Sequence, residues 1–165
     1  MVGTTLEQQL RNFTRSMYDQ GILDLHFENI MELQNHEYPC FVTQMIGKYV
    51  DLADASMAAV TRQLSDLEVN FDSLIINVEQ LGGGSASIGG NRMALVCHDL
   101  RLACDDKYKE SFFERVKPEY RTLRDCLNHI WENLTLKFVI NRIKGENLNR
   151  LSGLLSVIMS FGDYD

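Results

Sequence analysis

Few residues in this chain are of types that do chemistry. His26, His36, His98 and His129 could each carry a proton or a phosphoryl group near neutral pH. Cys40, Cys97, Cys104 and Cys126 are possible nucleophiles or metal ligands. Neither set is spaced as a site. The cysteines form no C-x-x-C pair and follow no secretory signal, so they read as reduced, mostly buried thiols of an intracellular protein. His98 sits beside Cys97, but no second pair at ligand spacing accompanies it, and no metal or other cofactor is expected. The four histidines read by default as surface or cap residues.

The oddest feature is the run from Gly82 to Gly90, in which glycine supplies five of nine residues. A phosphate-cradling loop would use such glycines to bring backbone N–H groups up to a nucleotide. Here no Lys-Ser or Lys-Thr pair closes the loop, no convincing strand precedes it, and the spacing does not suit a dinucleotide fold. Two readings remain open on physics alone. One is a flexible linker between helices. The other is a helix kept slim for close approach, each glycine costing it about 1 kcal/mol relative to alanine.

The elements that must position these residues are helical. Only Pro39 and Pro118 interrupt the chain, and β-branched residues rarely alternate with polar ones. Thr5 to Gln20 places Leu6, Leu10, Phe13 and Met17 at helical spacing, with Gly21 as a stop. Asp24 is a possible N-cap for a second helix reaching Leu33, with Leu25, Ile30 and Leu33 inward. From Pro39 a long core helix carries Phe41, Met45, Tyr49, Leu52, Met57, Val60, Leu64 and Leu67. The helical pattern resumes from Phe71 to Ala103 around the glycine cluster. It returns from Ser111 to Leu134 through Phe112, Val116, Tyr120, Leu123, Leu127, Ile130 and Trp131, where Pro118 is expected to bend or perturb the first turns. Short connections make neighbouring helices antiparallel. The expected fold is all-α, an antiparallel four-helix bundle with additional N-terminal helices. It divides into a bundle domain, 1–134, and a C-terminal extension, 135–165, whose pattern places no element.

Composition excludes several function classes. The chain has 165 residues, 45% of them apolar and 24% charged, as expected of one soluble globular domain. Its net charge of −7 opposes binding to nucleic-acid backbones. No apolar run approaches the length that spans a bilayer, so no membrane partner is expected.

The cluster also resembles a family signature. Glu79-Gln-Leu-Gly-Gly-Gly-Ser-Ala-Ser-Ile-Gly-Gly90 is similar to His-Gln-Leu-Lys-Gly-Ser-Ser-Ser-Ser-Ile-Gly-Ala of the plant histidine-containing phosphotransfer proteins. Matches flank it at Gln20-Gly-Ile-Leu-Asp24, Phe27, Leu33, Pro39-Cys-Phe-Val42, Asn91-Arg92, Cys97, Arg101, Cys104 and Val116-Lys-Pro-Glu-Tyr120, covering about Leu6 to Leu134. The resemblance implies a phosphorelay bundle in which a histidine takes a phosphoryl group from an aspartyl phosphate of one receiver domain and passes it to another. Here Glu79 occupies the histidine position and Gly82 the position of the supporting lysine.

A carboxylate is a poor substitute, because it brings negative charge toward the phosphoryl group and would form a labile acyl phosphate. The expectation is a pseudo-phosphotransfer protein with no catalytic residue and no enzymatic activity. It would be monomeric, cytoplasmic and nuclear. Its partners would be receiver domains of hybrid sensor histidine kinases and response regulators, docked through Glu79, Gln80, Gly83 and Ser87. It would act as a negative regulator of a cytokinin-type relay by competition. The alternative is an active carrier that uses another residue.

Overall fold

The computed structural model describes the backbone of residues 5–103 and 109–161, and the side chains of 5–103 and 111–153. Among the described residues every element is a helix: α1 (Leu6–Asp19), α2 (Leu25–Leu33), α3 (Phe41–Ser65), α4 (Phe71–Ser87), α5 (Asn91–Ala103) and α6 (Lys109–Phe161). Helices α3 to α6 close a four-helix ring, each packing on the next and α6 returning to α3, while α1 lies on α6 and α2 on α3.

Local chemistry sets the helix ends. Thr5 opens α1 with a capping box, its hydroxyl accepting from the Gln8 N–H while the Gln8 side chain accepts from the Thr5 N–H. Gly21, at φ +66°, closes it. The N–H groups of Gly21 and Ile22 return to the carbonyls of Tyr18 and Met17, the paired bonds of a Schellman cap. Asp24 caps α2, as expected, by accepting from the His26 N–H at 2.8 Å.

The inward stripe of α3 is Val42, Ile46, Tyr49, Ala53, Ser56 and Val60, alternating four- and three-residue steps. On α4 it is Leu74, Val78, Leu81 and Ser85, and α6 contributes Phe113, Val116, Tyr120, Leu123, Leu127, Ile130 and Leu134. Phe27 is fully buried and brings α2 into the same core. Ion pairs tie the outer faces: Arg92 to Glu119 at 2.6 Å, Arg115 to Asp99, and Arg124 to Asp54, which also accepts from the Tyr120 hydroxyl.

Three expectations need correction. Leu25 and Leu33 face solvent, because nine-residue α2 buries only Phe27 and Ile30. Leu52 and Trp131 are also exposed, and Leu67 lies past the end of α3. The pattern over 71–103 belongs to two helices separated at Ile88–Gly90. Beyond these, α6 includes Pro118, which sits exposed in its tenth position, and continues past Leu134 to Phe161 as one helix. The extension that the sequence pattern left unplaced is therefore helical as far as Phe161.

The α4–α5 turn is the tightest packing point. Gly89 has φ +79°, and a Cβ there would lie 2.5 Å from the Phe27 nitrogen; its carbonyl accepts from the Asp24 N–H. Gly83, by contrast, lies mid-helix with nothing within 4 Å of a Cβ position. Alanine should therefore act oppositely at these two glycines. Gly89→Ala should destabilise by more than ~1 kcal/mol, through positive φ and collision. Gly83→Ala should stabilise by up to about 1 kcal/mol through helix propensity. Urea unfolding midpoints of the two variants check both signs.

Candidate functional site

The site is built on α4, whose buried face fixes what the opposite face presents. With Leu74, Val78, Leu81 and Ser85 inward, a turn of about 100° per residue puts Glu79, Gln80, Gly83 and Ser87 together on the outer side. All four are exposed. Ser87 donates to the Gly83 carbonyl at 2.8 Å, so its hydroxyl lies along the helix.

The three consecutive glycines face three ways. A Cβ on Gly82 would lie 3.0 Å from the Cys97 Cβ, so this glycine sets how closely α5 approaches. On Gly84 it would meet Leu52 and Tyr49, so this one serves α3. Only Gly83 opens outward. The slim-helix reading of the glycine cluster is the one the structure adopts, and the linker reading fails: glycines 82 to 84 lie inside a regular helix. Beneath them, Ser85 is fully buried and donates to the Leu81 carbonyl at 2.7 Å; its hydrogen thus used, it accepts from the Tyr49 hydroxyl at 2.8 Å. Every polar group in that buried contact is satisfied.

Glu79 does not stand alone. Its carboxylate meets the Arg101 guanidinium of α5 at 2.5 Å, both side chains 48% exposed. The pairing follows from the hairpin. Glu79 and Arg101 are each eleven residues from Gly90, and Ala86 and Ala94 each four, so antiparallel helices turning there bring them opposite. Between α4 and α5 runs an open groove of about 310 Å³, floored by Gly82, Ala86, Ala94 and Cys97 and rimmed by Glu79, Arg101 and His98. His98, exposed on α5, is the histidine brought to this groove; His26, His36 and His129 do not line it.

Arg101 is the functional candidate that the spacing argument missed, and His98, weighed there, was read as a surface residue. Arg101 entered only as a flanking match, and the signal that finds both is their symmetry with α4 about Gly90. No three His, Cys, Asp or Glu residues among those described come together as a metal site. Cys97 and Cys126 are buried and unpaired, Cys40 is half-buried, and Cys104 lies outside the described residues.

Chemically, the arrangement offers an ion-paired carboxylate, which lacks the neutral ring nitrogen by which a histidine accepts a phosphoryl group. It also offers a shallow surface with small side chains and mixed hydrogen-bonding groups, suited to another protein's surface.

Comparison with known proteins places this architecture. No family model matches the chain. Histidine-containing phosphotransfer protein 2 of rice (Oryza sativa subsp. japonica) is 32% identical over 67% of this chain and 74% of its own length. Pseudo histidine-containing phosphotransfer protein 2 of the same species is 26% identical over 79% of this chain and 89% of its own. The solved structure of a histidine-containing phosphotransfer protein from maize superposes with a TM-score of 0.74 at 28% identity, covering 81% of this chain and 99% of that one. The chain belongs to the histidine-containing phosphotransfer protein family, relay proteins of two-component signalling rather than classical enzymes. Both transferring and pseudo members are among its relatives.

Burial pushes the Cys97 and Cys126 thiols from about 9 up to about 12, and the Tyr49 hydroxyl from 10 up to about 12. Unfolded thiols lose protons near pH 9 while these folded ones hold theirs, so they contribute no penalty below pH 9 and a growing one above it. Stability to urea should be insensitive to this ionisation up to pH 9 and fall steadily from there toward pH 12. At neutral pH, iodoacetamide followed by peptide mass analysis should leave Cys97 and Cys126 unmodified in the native chain and label them in denaturant.

Proposed function

We propose that this protein is a pseudo-phosphotransfer member of its family. It docks receiver domains of hybrid sensor histidine kinases or response regulators without accepting phosphate, and so competes with active carriers and dampens a cytokinin-type relay in cytoplasm and nucleus. The observation that carries this reading is the residue at the centre of the exposed α4 face: a carboxylate, Glu79, held by Arg101 where the family signature has its imidazole. The second loss lies one turn on, where Gly82 replaces the lysine that would balance phosphoryl charge. Around these losses the exposed face of Glu79, Gln80, Gly83 and Ser87 keeps the small, polar character that a docking protein needs.

Arg101 also bears on whether Glu79 imitates a phosphorylated histidine. A phosphoryl group carries about −1.5 to −2. Glu79 carries −1 and is neutralised by its partner, so the pair presents little net charge to a receiver. Glu79→Gln should accordingly leave receiver affinity within about twofold. It should change folding stability by no more than ~1 kcal/mol, the range for exposed ion pairs. Isothermal titration with a purified receiver domain checks the first value and urea unfolding the second.

A second reading, an active carrier using another residue, is favoured by one observation: His98 lies on the rim of the same groove. Incubation with a phosphorylated receiver carrying labelled phosphate separates the two. The pseudo reading expects no acid-labile label on the chain, together with dose-dependent inhibition of transfer through an active homologue. Label that appears on the wild type and disappears in His98→Gln would install the carrier reading instead. In Glu79→His, alone or with Gly82→Lys, weak transfer should return. The single variant is the cleaner test, because a side chain at position 82 must displace Cys97 by a few tenths of an ångström.

A further inference from the structure

The outward residues of α4 leave open what would hold a docked receiver. Glu79 is neutralised by Arg101, Gly83 has no side chain, and the Ser87 hydroxyl is turned onto the Gly83 carbonyl. Gln80 remains, and the net gain from one exposed amide is too small to hold two proteins together.

The same hairpin carries three large aliphatic side chains in water: Ile76 at 55% exposure on α4, and Leu95 at 57% and Leu102 at 65% on α5. Ile76 lies seven residues before Gly83, two turns along one line of the helix, with Glu79 and Gln80 between them. Leu95, His98 and Leu102 are all exposed and follow one another at three- and four-residue spacing, so they form one line of α5. Ile76 is fourteen residues from Gly90 and Leu102 twelve, which sets these two at nearly the same level on either side of the groove. Single exposed aliphatics are ordinary, but these three surround one groove.

Their distance from Glu79 says what would cover them. Donor and acceptor atoms must touch for a phosphoryl group to pass, so the family's histidine position, Glu79 here, lies inside the contact with a receiver. A docked protein of ordinary footprint covers roughly 800 Å² of its partner, a disc of about 16 Å radius. Ile76 is one turn from Glu79. Leu102 adjoins Arg101, which meets Glu79 at 2.5 Å, and Leu95 is six residues from Arg101, about 9 Å of helix. All three fall within the disc.

We infer, resting on the docking reading above, that the receiver is held by an apolar patch of its own seated on Ile76, Leu95 and Leu102, with a protruding apolar side chain in the α4–α5 groove. The groove suits such a group: its floor is Gly82, Ala86, Ala94 and Cys97, and the acid and base on its rim neutralise each other. Burial of aliphatic surface, with Glu79 a near-neutral bystander, then supplies the affinity.

Isothermal titration of the full chain with a purified receiver domain at several temperatures tests this. Wild-type binding should show a negative heat-capacity change, the mark of apolar burial. Ile76→Ala with Leu102→Ala should weaken binding at least about tenfold and shrink that change. Leu148→Ala, which removes a side chain as exposed as Leu102 but fourteen residues beyond the last core position, should leave affinity within about twofold. Urea unfolding would establish that the variants keep the bundle. Wild-type binding that survives the double substitution, or that Leu148→Ala weakens equally, overturns this inference and leaves the docking reading standing. A wild type that binds no receiver overturns both, and a dimer in sedimentation that the double variant dissolves would then assign the patch to a second copy.

Discussion

The backbone of Gly89 lies against the backbone of Phe27 with no room for a side chain between them, and most of the architecture hangs on that contact. The Gly89 carbonyl accepts from the Asp24 N–H, and Asp24 in turn caps α2, so the start of the second helix is fixed to the end of the fourth. Gly90, one residue on, leaves space for the Leu123 side chain of α6; a Cβ there would lie 2.4 Å from it. The N–H groups of Gly89 and Gly90 close α4 as a Schellman cap onto the carbonyls of Ala86 and Ser85. One three-residue turn thereby joins the N-terminal helices, the α4–α5 hairpin and α6. It also sets the register of that hairpin, which puts Arg101 opposite Glu79 and leaves the groove between them.

The glycines of α4 separate two demands that a single residue type would confuse. Gly82 and Gly84 answer to packing, since each admits a neighbouring helix more closely than a larger residue would. Gly83 answers to nothing inside the protein; retaining it forgoes about 1 kcal/mol of helix propensity. Such a residue in an exposed helix interior is intelligible where an external surface must come close. Beside it, the loss of transfer chemistry that we propose is local. A carboxylate brings charge of the wrong sign to a phosphoryl group, and its neighbour Arg101 is already engaged. On the proposed reading, a face for docking and a centre unfit for transfer share one helix.

Much of this was legible in the sequence because the relevant forces are local and periodic. The stripes of α1 and α6, the Asp24 cap and the stop at Gly21 follow from helical spacing and capping chemistry, whereas on α3 the expected stripe shares only Tyr49 and Val60 with the residues that are buried. The exposed set Glu79, Gln80, Gly83 and Ser87 follows from the inward residues of the same helix. Periodicity failed where an element is short or a partner distant. Leu25 and Leu33 match an amphipathic pattern, but a nine-residue helix has too little contact to bury them. The break at Ile88–Gly90 was hidden inside a continuous apolar pattern, since its cause is the approach of α2 from some sixty residues earlier. Arg101 was invisible as a partner of Glu79 until the turn position was known. The helical continuation of α6 was unreadable for a different reason: its apolar residues had no packing partner by which to interpret them.

The central claim is that a receiver docks on the outer face of α4 and leaves no phosphoryl group behind. Titration of the isotope-labelled chain with a phosphorylated receiver domain, followed by amide and phosphorus NMR together, tests it most directly. The account predicts progressive shifts at the amides of Gln80, Gly83 and Ser87 and no new phosphorus signal on the chain. A phosphoimidazole resonance, or shifts confined to helices other than α4 and those beside it, would contradict it.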